Sequence, residues 1–198
     1  MRRHGRIQKN SGARLKEVLC GTTVTTAVEI WFQHEAWMGQ KGAVGSRPPM
    51  ARDNRPDTAY IVGAICPARG VVGALTISAL NMECMNLHLA EISAQVATGS
   101  ICAPIDDGAG WHQRGDEIKQ FDNIALLPLP PYSPELNPMA NALDYLCANI
   151  LSAGTWDGCD VISEGCGEAW NWLANDRNRI RSIGTRKWAT VSVWVGRD

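Results

Sequence analysis

The chain lacks the features that mark secreted, membrane-spanning and zinc-binding proteins. Its seven cysteines form no Cys-x-x-Cys pair and their number is odd. This pattern indicates a reducing compartment in which thiols serve as small apolar residues, and it disfavours a zinc site. No apolar run reaches the roughly 18 residues of a membrane span. The basic N-terminus has no apolar stretch behind it, so a secretory signal is not expected.

The chain also lacks a net charge of one sign. Its 198 residues carry a formal charge of −1, so any surface for nucleic acid must be local. Two stretches, residues 1–16 and 177–187, contain basic residues and no acid. Such runs are usually solvated faces or tails, and contact with DNA is the alternative. The candidate DNA-binding residues of the second stretch are Arg177, Arg179, Arg181, Arg186 and Lys187.

What is present is the composition of a globular domain, with 45% hydrophobic and 20% charged residues and no visible repeat. Residues 39–57 carry many turn signals and are predicted to be a loop or a frayed edge. The order of the remaining elements predicts an α/β fold, a mixed sheet with helices on its faces. The predicted strands are 28–34, 58–66, 70–78, 101–106 and 122–129, and the predicted helices begin at Asn81, Asn137 and residue 160.

Two of the predicted helices have a clear apolar side. In the first helix, His88 and Glu91 lie off the apolar stripe. That stripe consists of Met85, Leu89, Ile92 and Val96. In the last helix, the residues predicted to face inward are Val161, Ile162, Cys166, Ala169, Trp170 and Leu173.

The most informative stretch is Ile101 to His112, with the sequence ICAPIDDGAGWH. We interpret it as a buried strand that carries a carboxylate at its C-terminal tip, where Gly108 and Gly110 allow a sharp turn. Residues 126–138, LLPLPPYSPELNP, then run from a strand through a proline-rich loop into a helix. An acid on a strand tip beside an arriving helix is the layout of a carboxylate metal site for phosphoryl transfer.

Several blocks of this sequence resemble one protein family. They are WFQHEA at 31–36, DGAGWH at 107–112, PPYSPELNP at 130–138, EAWNW at 168–172 and RIRSI at 179–183. They are similar to bacterial insertion-sequence transposases related to mariner elements, which belong to the DDE superfamily and have a ribonuclease-H-like catalytic domain. The resemblance covers roughly residues 27–190. We expect residues 1–26 to be a basic, poorly ordered segment and residues 191–198 to be a tail.

The resemblance implies cut-and-paste DNA transposition. In this family three carboxylates bind two Mg²⁺ ions, for which Mn²⁺ can stand in, because hard cations prefer oxygen ligands. The implied partners are transposon-end DNA and a second transposase chain, either a copy of this one or an intact relative. The implied location is the bacterial cytoplasm, at the nucleoid when DNA is bound, and no membrane is involved.

The family's second acid corresponds to Asp107, which the resemblance makes a metal ligand. The alternative is a turn-forming Asp before a glycine. Asp106 precedes the motif and should point to the opposite face. The first acid corresponds to His34, whose imidazole suits Zn²⁺, Mn²⁺ or Cu²⁺ better than Mg²⁺. The neighbouring Glu35 alternates to the other face of the strand.

The third acid corresponds to Ala140. Asp144 lies one helical turn further on the same face and could substitute only if the helix shifted by about 5.4 Å. Two further departures concern length. The family's hairpin between 39–42 and 45–48 is cut to almost nothing, which would remove an edge strand. The family's N-terminal helix-turn-helix has no counterpart in residues 1–26, so we expect a truncated and degenerate copy.

These substitutions predict a transposase that retains little or no catalysis, because ligands that act as a unit fail together. The first alternative is a non-catalytic module that binds DNA or intact transposase and acts as an inhibitor. The second alternative is a translated remnant without a selected role. A zinc site built from His34, Asp107 and His112 is a further possibility that the sequence leaves open.

Overall fold

The computed structural model describes residues 27–39, 44–45, 58–106, 117–128, 137–152, 156 and 158–186, and every structural statement below refers to these residues. The strands are β1 (Ala27–Gly39), β2 (Val44–Gly45), β3 (Thr58–Cys66), β4 (Val71–Ile77), β5 (Ser100–Asp106) and β6 (Leu127–Pro128). The helices are α1 (Met82–Gln95), α2 (Pro138–Leu146, continued by the π-helical turn Cys147–Leu151), α3 (Cys159–Ala174) and α4 (Arg177–Gly184).

Strand β1 lies at the centre of a mixed sheet whose order is β4-β3-β1-β5-β6. It pairs antiparallel with β3 along residues 32–39 and parallel with β5 along residues 27–32. The short β2 pairs antiparallel with β1 at Trp37 and Met38, whereas the rest of the hairpin segment expected to be shortened, 40–43 and 46–48, lies outside the described residues. The predicted α/β architecture is confirmed.

Both faces of this sheet are covered, because side chains alternate along each strand. On one face Ile30 and Phe32 of β1 pack against α2, α3 and α4. On the other face Trp31 packs against α1, together with Cys66 and Cys102 of the neighbouring strands. The two cores therefore explain why β3 is almost continuously apolar, as expected of a strand buried on both sides.

Residues at the helix starts confirm two of the predicted boundaries. The side chain of Asn81 accepts a hydrogen bond from the backbone N–H of Cys84, and that of Asn137 accepts one from Met139. Pro138 occupies the first turn of α2, where a missing N–H costs nothing. Within the described residues, none of the helices has the length and apolarity needed to cross a lipid bilayer.

Four sequence predictions need correction. His88 is fully buried. Helix α1 is covered both by β4 and by the segment 117–126, so a larger part of its surface is buried than the apolar stripe alone. Val161 is exposed, since it lies on the same side of α3 as Glu164 and Glu168.

The other two corrections concern secondary structure. The strand predicted over 122–129 is reduced to β6 and a single bridge between Ile124 and Cys102, because the Asn123 side chain is held by Ser93 of α1. Helix α4 was not predicted. Its sequence signal is the cap at Asp176, whose carboxylate accepts from the N–H of Arg179.

A buried carboxylate fixes the N-terminal end of β1. Glu29 accepts hydrogen bonds from the Trp31 indole, from Arg69 at 3.0 and 3.1 Å, and from the backbone N–H of Ala97. Arg69 also donates to the carbonyl of Gln95 at the end of α1. The Arg69 side chain is 35% exposed, whereas that of Glu29 is 8% exposed. This group, the Glu29–Arg69 pair, therefore joins β1, the β3–β4 turn and α1.

The substitution Glu29→Gln should lower the free energy of unfolding by about 2–3 kcal/mol, because it leaves Arg69 without its anionic partner in a partly desolvated place. Urea unfolding measures the change. The control is Glu164→Gln, which removes an exposed carboxylate and should alter stability by less than about 0.5 kcal/mol. Equal effects of the two variants would contradict the role given to the pair.

The buried cysteines should be chemically inert in the native protein. Burial raises the pKa of the Cys66 thiol from 9.0 to about 11 and that of Cys166 to about 12, and it also raises the pKa of Cys102. Among the six cysteines of the described residues, a thiol reagent at neutral pH should therefore modify the half-buried Cys84 and Cys159 first, as peptide mapping would show. The stability that these raised pKa values contribute is present below pH 9 and is lost as the pH rises toward 11. Rapid labelling of Cys66 without denaturant would contradict this order.

Candidate functional site

In the described part of the sheet, the strand ladders on one side of β1 leave a gap beside its middle. The ladder with β5 ends where Phe32 lies level with Ile105, and the ladder with β2 begins at Trp37. Because β3 occupies the other side of β1, both ladders lie on one side and leave residues 33–36 as an interval between them. Gln33 and His34 therefore lie at the C-terminal end of β5, where sheets of this class place their binding sites.

His34 is on the face of the sheet that α2 covers. Ile30 and Phe32 point into the core formed with α2, α3 and α4, and His34 continues the same alternation. Its side chain is half-buried. Gly63 of β3 lies directly opposite His34 in the ladder. The sequence prediction that residues 28–34 form a strand is confirmed, although β1 continues beyond His34 to Gly39.

The start of α2 lies over this pair of residues. A Cβ atom added to Gly63 would come within 2.8 Å of the Met139 methyl group and 2.7 Å of the Trp170 ring, so both side chains rest directly on the glycine. Ala140 follows Met139 in the first turn of α2 and is half-buried. The structure therefore brings positions 34 and 140 to the same part of the sheet, although one holds an imidazole and the other a methyl group.

One buried side chain connects the two elements. Asn137 is 2% exposed, and its Nδ2 atom donates a hydrogen bond of 2.7 Å to the backbone oxygen of Gln33. Its Oδ1 atom accepts from the N–H of Met139 at 3.0 Å. The sequence identified Asn137 only as a helix cap. Its second bond reaches a residue 104 positions away, which no local pattern could reveal.

The other predicted site residues belong to the stretch of sequence that begins at the end of β5. Asp106 is described only as the last backbone position of β5, and Asp107, Gly108, Gly110 and His112 lie outside the described residues. The assignment of Asp107 as a metal ligand, and the zinc site with His34 and His112, stay predictions. Among the residues that the structure describes, no three His, Cys, Asp or Glu side chains form a group that could hold a metal ion.

Asp144 is exposed on α2, one turn after Ala140. Burial, assisted by the nearby Asp144 carboxylate, raises the pKa of the Cys147 thiol to about 11. This thiol is one turn further along the helix. To replace an acid at position 140, Asp144 would require α2 to slide by about 5.4 Å, which would break the hydrogen bond from Asn137 to Gln33 of β1.

The predicted DNA-binding arginines lie on and after α4, and Arg179 among them is engaged within the protein. Its guanidinium lies 3.8 Å from the ring centroid of Trp172 and 5.8 Å from that of Tyr145. The two rings are stacked, with centroids 6.0 Å apart. Arg179 also forms an ion pair of 3.2 Å with Asp176. It therefore ties α2, α3 and α4 together.

The remaining basic residues differ in their availability. Arg181 donates to the carbonyl of Arg69, and Arg186 donates to that of Ile183. Arg177 is exposed at the first position of α4, and Lys187 lies outside the described part of the chain. Arg177 is accordingly the arginine of this cluster that is best placed to meet a ligand in solvent.

Comparison with known proteins identifies relatives of this chain. The profile of the DDE superfamily endonuclease family matches residues 32–160, a range that includes positions 34, 107 and 140. The uncharacterized protein y4pE/y4sA of Sinorhizobium fredii (strain NBRC 101917 / NGR234) is 43% identical over 131 residues, which are 66% of this chain and 96% of that protein.

The fold is similar to that of the Mos1 mariner transposase. A crystal structure of the Mos1 paired end complex with Mg aligns with a TM-score of 0.61 at 17% identity, covering 92% of this chain and 58% of that chain. The complex with Mn gives a TM-score of 0.56 at 16% identity, covering 91% and 62%. This chain thus spans about three fifths of the Mos1 chains, and the likeness establishes a ribonuclease-H-like fold. Because the family profile spans most of the described sheet and α2, the chain belongs to the DDE superfamily endonuclease family.

Proposed function

We propose that this chain is the catalytic-domain part of a DDE-type DNA transposase and that this copy is impaired in cutting and joining DNA. Membership of the family and the ribonuclease-H-like fold support the class of activity. The impairment is supported by one observation. By their resemblance to the family motifs, position 34 on β1 and position 140 on α2 correspond to the first and third acids, and their residues, His34 and Ala140, are not carboxylates.

The donor set does not suit the metal ions of this family. Mg²⁺ takes oxygen ligands, and neither an imidazole at position 34 nor a methyl group at position 140 supplies one. In the sequence, Asp107 directly follows the last residue of β5. One carboxylate cannot balance two divalent cations. We therefore assign Asp107 as the retained acid and derive no catalytic step from it.

The second candidate function is a non-catalytic module that binds transposon DNA or an intact transposase in the bacterial cell. The complete two-sided core favours it, because the elements that carry the site persist although two of its acids are gone. Arg177, exposed at the start of α4, provides a positive charge for a phosphate. A strand-cleavage assay with Mg²⁺ and with Mn²⁺ tests this module: salt-sensitive DNA retention without nicking supports it, whereas metal-dependent nicking indicates an active enzyme.

Restoring the acids should restore metal binding. We expect the parent protein to show neither Mg²⁺- nor Mn²⁺-dependent nicking of DNA, and we expect the double variant His34→Asp with Ala140→Asp to bind Mn²⁺ measurably in a calorimetric titration. Adding Asp107→Ala to that variant should abolish the binding.

The matched control is His34→Asp with Asn141→Asp, which adds the same two charges but places one on the exposed side of α2. It should bind Mn²⁺ no better than the parent protein. Metal-dependent nicking by the parent would contradict the proposed impairment. Equal Mn²⁺ binding by the two double variants would contradict the assignment of position 140.

DNA retention should depend on Arg177 more than on Arg179. Replacing Arg177 by Ala should weaken DNA binding and reduce the slope of log affinity against log salt by about 1, because one phosphate contact is lost. Replacing Arg179 by Ala should chiefly lower stability, since that guanidinium is stacked on Trp172 and paired with Asp176. Fluorescence anisotropy over a salt series measures the slope. An unchanged slope for the Arg177 variant would remove this residue from the proposed DNA surface.

A further inference from the structure

We infer that Asn137 is a positioning residue. Its side chain fixes the position of α2 along the helix axis relative to β1, and it thereby places position 140 beside position 34. This inference rests on the proposed function, because it assigns the two positions to one site. It concerns the Nδ2 donor of Asn137 and not its action as a helix cap, and these two roles can be separated by substitution.

Capping alone does not require the observed geometry. Asn81 caps α1 in the same way, with its Oδ1 atom 2.9 Å from the backbone nitrogen of Cys84, and it is exposed to solvent. Asn137 is buried, and burial of an amide is unfavourable unless its donors and acceptors are satisfied. The bond to the Gln33 oxygen supplies that satisfaction on the donor side, at the short distance of 2.7 Å. The burial of Asn137 is thus tied to its contact with β1.

The contact lies in the interval of the sheet. Gln33 comes directly after the last ladder residue that β1 shares with β5 and before the ladder with β2. Its carbonyl receives a side-chain donor from α2. The amide of Asn137 thus contacts β1 one residue before His34.

This bond fixes the helix in the direction that matters for the site. Residue 140 lies about 4.5 Å along the helix axis from residue 137, at 1.5 Å per residue. Met139 on Gly63 sets the distance of α2 from the sheet, but this apolar contact is not directional. The directional bond between Asn137 and Gln33 opposes sliding of α2, so it determines which residue of α2 lies level with position 34.

The test uses the variant with His34→Asp and Ala140→Asp as its parent. Asn137→Ser keeps a good capping oxygen for Met139 but removes the amide donor to Gln33. We expect it to weaken Mn²⁺ binding by about 10- to 100-fold, as is usual when a residue that orients metal ligands is lost, with little change in melting temperature. Asn81→Ala is the matched control. It removes the cap of α1 and should leave Mn²⁺ affinity unchanged.

Amide hydrogen exchange in the unrestored chain provides a readout without metal. Asn137→Ser should speed exchange at the start of α2 and in residues 33–36, and Asn81→Ala should not. Unchanged Mn²⁺ affinity in the Asn137→Ser variant, or an equal loss in both variants, would overturn the inference. If the restored parent binds no Mn²⁺, the proposed site fails and exchange alone decides, with equal exchange in the Asn137→Ser variant and the native chain overturning the inference.

Discussion

The burial of β1 on both faces is the constraint on which the rest of the structure depends. Successive side chains of the strand pack alternately into the core shared with α1 and the core shared with α2, α3 and α4. A slip by one residue would therefore move every side chain to the opposite core. The same alternation places His34 on the side of α2. A change in chemistry at position 34 therefore leaves the strand in register.

Two buried polar groups fix β1 along its length. Near its start, Glu29 collects donors from Trp31, Arg69 and Ala97, which secures the turn after β3 and the end of α1. Near its middle, the carbonyl of Gln33 accepts the amide of Asn137, which secures the start of α2. Apolar packing brings these elements together, and the directional hydrogen bonds determine their positions along β1. Neither bond involves a residue that corresponds to a family acid.

The polar contacts that fix β1 involve neither position 34 nor position 140, which explains why the fold tolerates different residues at these two positions. Position 140 is half-buried beside Met139, where alanine is compatible with a helix, and position 34 accepts an imidazole at the interval of the sheet. An acid at either place would serve metal binding rather than the core. Residues other than acids at both positions are thus compatible with the two buried cores of the described sheet.

The sequence by itself determined the periodic strands and helices, the caps at Asn81 and Asn137 and the family, because each of these depends on neighbouring residues. That His34 and Ala140 replace two family acids stays a prediction from the same sequence blocks. Tertiary structure alone decided the contacts between distant residues, such as Arg69 with Glu29, 40 positions apart, and Asn137 with Gln33, 104 positions apart. It also decided that His88 is buried, since the segment covering α1 follows that helix in the chain. Local patterns record the preference of a segment for a conformation, whereas a directional contact exists only when packing has brought both partners within hydrogen-bonding distance.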